Sequence, residues 1–162
     1  MSHAPTPASL RAALGRFATG VTIVTTRALD GAPVGLTVNS FNSVSLTPPL
    51  VLWSLAQGAA SMACFAAAGH YAIHVLSAEQ RDLAERFASK GVDRWQGLAW
   101  QEGLGGAPLL DGAVAVFECR QRNRHQEGDH VIFVGEVLRC AHRADAPPLL
   151  YHGGRFYTEH PL

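Results

Sequence analysis

Hydroxyl and amide side chains are concentrated in residues 35–45, whose sequence is GLTVNSFNSVS. These side chains are neutral hydrogen-bond donors and acceptors, which can hold the edge of a flat heteroaromatic ring or a phosphate group. The segment alternates small or apolar residues with polar ones, as a half-buried strand does. A strand with one face in solvent shows the same alternation, and the pattern alone favours that alternative.

Other kinds of catalytic site leave no recognisable motif in the chain. The sequence contains no G-x-S-x-G, no GxxxxGK[ST], no HExxH and no GxGxxG after a predicted strand. Its eight histidines lack the close spacing of a structural zinc site, and His70 and His74 fall in a predicted strand rather than on one helix face. We therefore predict no metal site.

The composition predicts one folded domain without a strong charge field. The chain has 162 residues, of which 48% are hydrophobic and 16% charged, and its 13 basic and 13 acidic residues cancel. We accordingly expect neither nucleic acid nor an anionic membrane surface as a partner. So much apolar surface on a short chain favours its burial in a homodimer.

Three features predict a cytoplasmic protein. No basic region precedes an apolar run near the N-terminus, so we expect no secretion signal. No run of about eighteen apolar residues could span a membrane. The cysteines Cys64, Cys119 and Cys140 are odd in number and widely spaced, which disfavours a disulfide scaffold or a zinc knuckle and favours reduced thiols.

Short strands separated by turns predict a closed antiparallel sheet with a few helices. We expect a flexible tail over residues 1–8 and a single domain over residues 9–162. The predicted helices are one capped by Ser9 and ended by Gly20, one over 61–69, and one that begins with a capping box at 77–80 and ends near Lys90. The predicted strands lie at 21–26, 34–46 (two strands or one bent strand), 50–55, 71–76, 113–120, 130–140 and 149–157, with a polar connection over 122–129.

Several short motifs, in a fixed order along nearly the whole chain, resemble those of the flavin reductase family. They are RFATGVT (16–22), GLTVNSF (35–41), SVSL (43–46), PPLVL (48–52), IHVLS (73–77), RFA (86–88), PLL (108–110), GDH (128–130), GEV (135–137) and PLLY (148–151). A series of this kind at consistent spacing is far more specific than any single motif.

The resemblance implies a mainly β fold, an FMN-binding split β-barrel that is antiparallel and Greek-key-like, with a few short helices. It also implies an NAD(P)H-dependent flavin reductase, which transfers a hydride from NADH or NADPH to FMN or FAD. The enzyme would be a homodimer that supplies reduced flavin to a separate flavin-dependent oxygenase. One alternative is a non-catalytic flavin- or haem-binding carrier or sensor on the same barrel. Another is an enzyme similar to pyridoxamine-phosphate oxidase, which would need a basic cluster that the sequence does not show.

The resemblance also assigns flavin-binding residues. It implies that the ring is lined by Thr37, Val38, Asn39 and Ser40, a wall that Ser43 and Val44 continue, and that the ribityl chain passes Ser54, Leu55 and Ala56. Ser61, as a helix N-cap, would hold the phosphate, with Lys90 as a cation beside it. Phe87 would pack near the flavin or lie in the core. The loop over residues 57–60 is poorer in polar and basic residues than in most relatives, which favours weak flavin binding.

The resemblance also implies that His130 lies on the nicotinamide side, where an imidazole can hydrogen-bond or stack against the carboxamide. The alternative is a histidine at a strand edge that is bound by Asp129 or by solvent. Phe156 is expected to cover the nicotinamide. It follows Arg155 and precedes Tyr157, whereas many relatives have a tyrosine at its position.

Overall fold

Antiparallel strands make up most of the protein, whose computed structural model describes residues 4–162. The strands are β1 (Thr19–Gly20), β2 (Thr22–Arg27), β3 (Pro33–Val38), β4 (Asn42–Leu46), β5 (Pro49–Ala56), β6 (His70–Val75), β7 (Gln101–Glu102), β8 (Pro108–Leu109), β9 (Ala115–Glu127), β10 (His130–His142), β11 (Leu150–His152) and β12 (Arg155–Tyr157). Seven of them form one sheet in the order β3-β2-β6-β9-β10-β5-β4, a second sheet has the order β1-β11-β12, and β7 pairs with β8. Each pairing in these sheets is antiparallel, which confirms the predicted fold class.

The large sheet curls until β3, at one edge, contacts β5 near the other. The two strands are not joined by a backbone ladder. Instead, the hydroxyl of Ser40, just after β3, donates to the Ser54 carbonyl at 3.0 Å and accepts from the Ser54 N–H at 2.9 Å. The barrel is therefore closed at this point by one side chain, because both backbone groups of Ser54 find their partner in Ser40.

Apolar side chains form two buried clusters. The cluster inside the curled sheet is centred on Trp53, whose ring stacks on Phe133 at 4.7 Å between centroids and meets Phe65 and Tyr71 edge to face. The second cluster consists of Val21, Ile23, Leu76, Ala84, Phe87, Leu110 and Leu149. It lies between the sheet and the third helix and fixes that helix against β2 and β3.

The helices are α1 (Pro7–Leu14), α2 (Met62–Ala67) and α3 (Arg81–Ala88). Helix α1 begins before the predicted cap Ser9, because Thr6 caps it by accepting the Ser9 N–H at 3.1 Å, and it ends at Leu14 rather than near Gly20. Residues 1–3 of the predicted tail lie outside the described residues. The predicted capping box is confirmed before α3, where the Ser77 N–H donates to the Gln80 side chain at 3.1 Å.

Two strand predictions need comment. Residues 34–46 form two strands, as the length of the segment allowed, and of these two only β4 forms a backbone ladder with β5. The polar connection predicted over 122–129 is wrong, because residues up to Glu127 continue β9 and pair with β10 across a tight turn at Gly128. This part of β9 is mostly exposed, so backbone pairing rather than burial determines its conformation.

Candidate functional site

Two cavities adjoin at the end of α3. The smaller, of about 490 Å³, is lined by Val21, Thr37, Val38, Asn39, Glu85, Ala88, Ser89, Tyr151, Gly154 and Phe156. The larger, of about 880 Å³, is bordered by residues 33–36, 56, 58–61, 64 and 88–95. Ala88 and Ser89 line both. Strand β3 also borders both cavities, so the two share a wall built from this strand and the end of α3.

Strand β3 presents free backbone groups to this region because it is the edge strand of the large sheet. The carbonyl of Gly35 points away from β2, since it accepts a hydrogen bond from the Arg94 guanidinium at 2.8 Å. Alternate residues of a regularly paired strand direct their N–H and C=O groups to the same side. The backbone groups of Thr37 therefore also point outward, beside the smaller cavity.

Side chains hold β3 against α3. The Thr37 hydroxyl donates to the Ala84 carbonyl at 2.7 Å, so this hydroxyl is used within the fold. Gly35 lets the strand approach the helix closely, because a Cβ atom there would lie 2.8 Å from the Phe87 ring and 3.1 Å from the Trp95 ring. Phe87 is itself fully buried, so its ring belongs to the core beneath the cavities and does not face a ligand directly. Of the two roles expected for Phe87, the structure supports the core.

The larger cavity brings together several residues that were predicted for the ribityl chain and the phosphate. Ala56, Ser61 and Lys90 all line it, and Cys64 lies beside them. Ser61 does not act as a side-chain cap of α2, which corrects the prediction that its hydroxyl bonds the helix N-terminus. Its backbone is already helical (φ −85°, ψ −4°), a conformation in which the hydroxyl is not directed at the N–H groups that follow.

Other predicted flavin contacts lie elsewhere in this chain. Ser43 and Val44 are exposed on β4, at the opposite edge of the large sheet from β3, and border neither cavity. Leu55 is buried in the barrel core, because the alternation along β5 turns its side chain inward. Ser40 and Ser54 hydrogen-bond each other and close the barrel. None of these five side chains lines either of the two cavities.

His130 begins β10 and lies opposite Ala56 in the strand register, one strand away from the larger cavity. Its side chain is 48% exposed, and its Nδ1 lies 2.6 Å from the Asp129 carboxylate. That hydrogen bond holds the pKa of Asp129 below its ordinary value. The predicted alternative, in which Asp129 binds the histidine, is therefore observed, and the imidazole also remains open to an incoming molecule.

The C-terminal hairpin also contributes to the smaller cavity. Tyr151, Gly154 and Phe156 line it together with Thr37, Val38 and Asn39. The Arg81 guanidinium stands over the Phe156 ring at 5.6 Å and pairs with Glu85 at 3.1 Å. The sequence did not indicate Glu85, Ser89 or Tyr151 as lining residues, although PLLY was among the family motifs.

Metal and disulfide chemistry receive no support from the described residues. Within residues 4–162, no three His, Cys, Asp or Glu side chains cluster as metal ligands, and Cys64, Cys119 and Cys140 are free thiols. Burial raises the pKa of the Cys119 thiol to about 12. His74 is fully buried and binds the core through both ring nitrogens, to the Ile23 carbonyl and the Leu110 N–H, each at 3.1 Å. Over the same residues, none of the helices has the length and apolar character that crossing a membrane requires.

Comparisons with known proteins agree with this arrangement. A family model described as a flavin reductase like domain matches residues 14–160. The chain is 52% identical to the FMN reductase (NADH) SmoA of Agrobacterium fabrum over 148 residues, which cover 91% of this chain and 83% of that protein. It is 42% identical to the reductase component of the flavin-dependent trigonelline monooxygenase of Acinetobacter baylyi, covering 92% of this chain but only 48% of that protein.

A solved structure has the same fold over nearly the full chain. The NADH:FAD oxidoreductase SgcE6 of Streptomyces globisporus, in complex with NAD and FAD fragments, superposes with a TM-score of 0.90 at 39% identity. The match covers 99% of this chain and 98% of that one.

Proposed function

The chain belongs to the flavin reductase-like family, and from this premise we propose that it is an NAD(P)H:flavin oxidoreductase. It transfers a hydride from NADH or NADPH to FMN or FAD and supplies the reduced flavin to a separate flavin-dependent oxygenase. The observation that carries the proposal is the pair of adjoining cavities with a shared wall. A flavin bound along this wall extends through both cavities, with its ring at the smaller one, where a nicotinamide can meet it.

The residues present fit a flavin and a pyridine nucleotide. Both cavity volumes fall within the range of about 300–1,000 Å³ that is usual for small-molecule sites. The outward backbone groups of Thr37 and the Asn39 side chain offer neutral hydrogen bonds to a ring edge. Lys90 offers a positive charge to a phosphate in the larger cavity. The flavin and nicotinamide rings supply the redox chemistry themselves, so the chain must bind, orient and shield them.

Within this proposal, the shared wall holds the flavin. Thr37, Val38 and Asn39 contact the ring edge, and Ala56 flanks the ribityl chain. Ser61 and Lys90 bind the phosphate, the first by its free hydroxyl and the second by its charge. The larger cavity is broad and partly polar, which suits a flavin that is released after reduction.

The nicotinamide side is assigned to His130 and Phe156. The exposed imidazole of His130 can donate or accept a hydrogen bond to a carboxamide, and Asp129 orients it. Phe156 offers an aromatic ring at the smaller cavity, and the Arg81 guanidinium stacks on that ring. Neither residue has to act as an acid or a base, because a hydride passes between the two nucleotides without a protein proton.

The functional unit is proposed to be a homodimer. Exposed apolar side chains include Phe17 at 75% and Leu46 at 92%, and β4 leaves one edge of the large sheet unpaired. Both features favour burial against a second copy of the chain. In that assembly Ser43 and Val44 could reach a flavin held by the partner. Sedimentation of the wild type as a dimer, and of Leu46→Lys as a monomer, would support this assembly, whereas a monomeric wild type would contradict it.

The cytoplasm is the proposed location of the protein. The three free thiols are those expected of a reducing compartment, where disulfides are rare. Cell fractionation with an antibody against the chain tests this assignment, and recovery of the protein outside the cytoplasm would contradict it.

Anaerobic turnover tests the activity. The purified chain is mixed with NADH or NADPH, with and without FMN or FAD, and the absorbance of both nucleotides is followed. We expect the flavin to bleach in step with the loss of the reduced nicotinamide, at a rate proportional to the protein concentration. If the chain binds flavin but neither nicotinamide nucleotide reduces it, the carrier alternative is correct.

A further inference from the structure

Arg94 joins the two elements that form the shared wall. Its Nη1 donates to the Gly35 carbonyl of β3 at 2.8 Å, and its Nη2 donates to the Ser89 carbonyl at 2.9 Å, with Nε 3.3 Å from the same oxygen. No carboxylate of residues 4–162 forms an ion pair with Arg94. The guanidinium is thus bound by backbone oxygens from both sides of the wall.

Both carbonyls need such a donor. The Gly35 carbonyl lies on the outer edge of β3, where no neighbouring strand can pair with it. The Ser89 carbonyl belongs to the C-cap residue of α3, beyond the last intrahelical hydrogen bond. A guanidinium has several N–H donors in a rigid plane, so it can bind two separate carbonyls at a fixed distance from each other.

The neighbouring contacts fix where Arg94 stands. Asp93 accepts the Trp95 N–H at 3.0 Å, and the Trp95 ring packs edge to face on Phe87 at 5.1 Å. Because Gly35 has no side chain, these rings can lie directly under β3. The turn that carries Arg94 is therefore anchored in the core, and its guanidinium sets the distance between β3 and Ser89.

From this geometry we infer that Arg94 is a positioning residue for flavin binding. The inference rests on the proposed function, since the flavin is placed against the wall that Arg94 holds together. Arg94 acts through Gly35 and Ser89, so its loss widens the site for the whole flavin. Lys90, in contrast, acts on the phosphate alone.

Comparison of riboflavin with FMN separates these two roles, because riboflavin has the same ring and ribityl chain but no phosphate. Binding is measured by titration of flavin fluorescence with the wild type, Arg94→Met, Arg94→Lys and Lys90→Met. We expect both Arg94 variants to bind riboflavin and FMN about tenfold more weakly than the wild type, with the same factor for both ligands. We expect Lys90→Met to lose affinity for FMN only.

Arg143→Met is the matched control. Arg143 also binds two backbone carbonyls, of Ala113 at 3.2 Å and Gly112 at 2.8 Å, and neither residue lines either of the two cavities. It should lose thermal stability to a similar extent as Arg94→Met but keep wild-type affinity for both flavins. In turnover, Arg94→Lys should raise the flavin KM about tenfold while kcat at saturating flavin stays within about twofold.

Three results would overturn the inference. One is wild-type affinity of the Arg94 variants for both flavins, and another is a loss confined to FMN, which would make Arg94 a phosphate ligand. If Arg94→Met does not fold, Arg94→Lys, which keeps the positive charge, provides the same comparison of riboflavin with FMN. The third is a wild-type chain that binds neither flavin, a result that would overturn the proposed function as well.

Discussion

His74 makes the stability of the fold sensitive to mild acid. Its ring is fully buried on β6, where Nε2 accepts the Leu110 N–H and Nδ1 therefore carries the proton that is donated to the Ile23 carbonyl. Burial, which penalises the charged imidazolium, is the main cause that lowers the pKa of His74 from 6.5 to about 4. Protonation would also break the hydrogen bond from Leu110, because Nε2 would become a donor.

The size of the effect follows from the two pKa values. Well above pH 6.5 the histidine is neutral in both the folded and the unfolded chain, so it does not make the free energy of unfolding depend on pH there. As the pH falls below 6.5, the unfolded chain binds a proton that the folded chain does not, so the free energy of unfolding decreases until the pH reaches about 4. Between pH 7 and pH 5 the loss from this one group is about 2 kcal/mol.

Urea unfolding at pH 7 and pH 5 measures this loss, with tryptophan fluorescence as the signal. His74→Asn should be less stable than the wild type at pH 7. Because this variant has no titratable group at position 74, its free energy of unfolding should fall by about 2 kcal/mol less than that of the wild type between pH 7 and pH 5. His125→Asn, at an exposed position of β9, is the control and should keep the wild-type dependence. An equal loss in wild type and His74→Asn would refute the assignment of the acid sensitivity to His74.

Three further substitutions test other parts of the account. Ser40→Ala removes both hydrogen bonds to Ser54 and should lower the free energy of unfolding by about 1–2 kcal/mol. Thermal unfolding measures this loss, and an unchanged midpoint temperature would mean that this contact does not close the barrel. Ser61→Ala should weaken FMN binding by about 1 kcal/mol in a fluorescence titration. Unaltered affinity would mean that the phosphate does not bind at Ser61. His130→Ala should raise the KM for NADH about fivefold, with a smaller effect on flavin affinity. Unchanged NADH kinetics in that variant would exclude His130 from the nicotinamide side.

Much of the fold could be predicted because local signals and burial agree. The β-branched run of β2 is almost wholly buried, and the capping signal before α3 is confirmed at Ser77 and Gln80. The resemblance added the barrel and the family, which periodicity alone could not supply. The length of β9 escaped prediction, since its exposed polar end is held by backbone pairing rather than by an apolar pattern.

The site was predicted less completely, and the reason is geometric. The resemblance pointed to Thr37, Val38 and Asn39, at the end of β3 and just after it, and these residues line the smaller cavity. Polar residues of the same row, such as Ser40, serve the fold instead, and the sequence does not distinguish a hydroxyl that binds a ligand from one that binds a backbone group. Arg94 escaped notice because its two partners are backbone carbonyls far apart in the sequence.

The most direct test of the central claim uses Ser89, which lines both cavities at the shared wall and has an exposed side chain. Anaerobic stopped-flow mixing of NADH and FMN with the wild type should bleach the flavin in proportion to the protein concentration. Ser89→Trp, whose ring would fill the space where the two nucleotides meet, should fold normally and leave the flavin oxidised. Reduction at the wild-type rate by Ser89→Trp would contradict the claim that hydride transfer takes place at this wall.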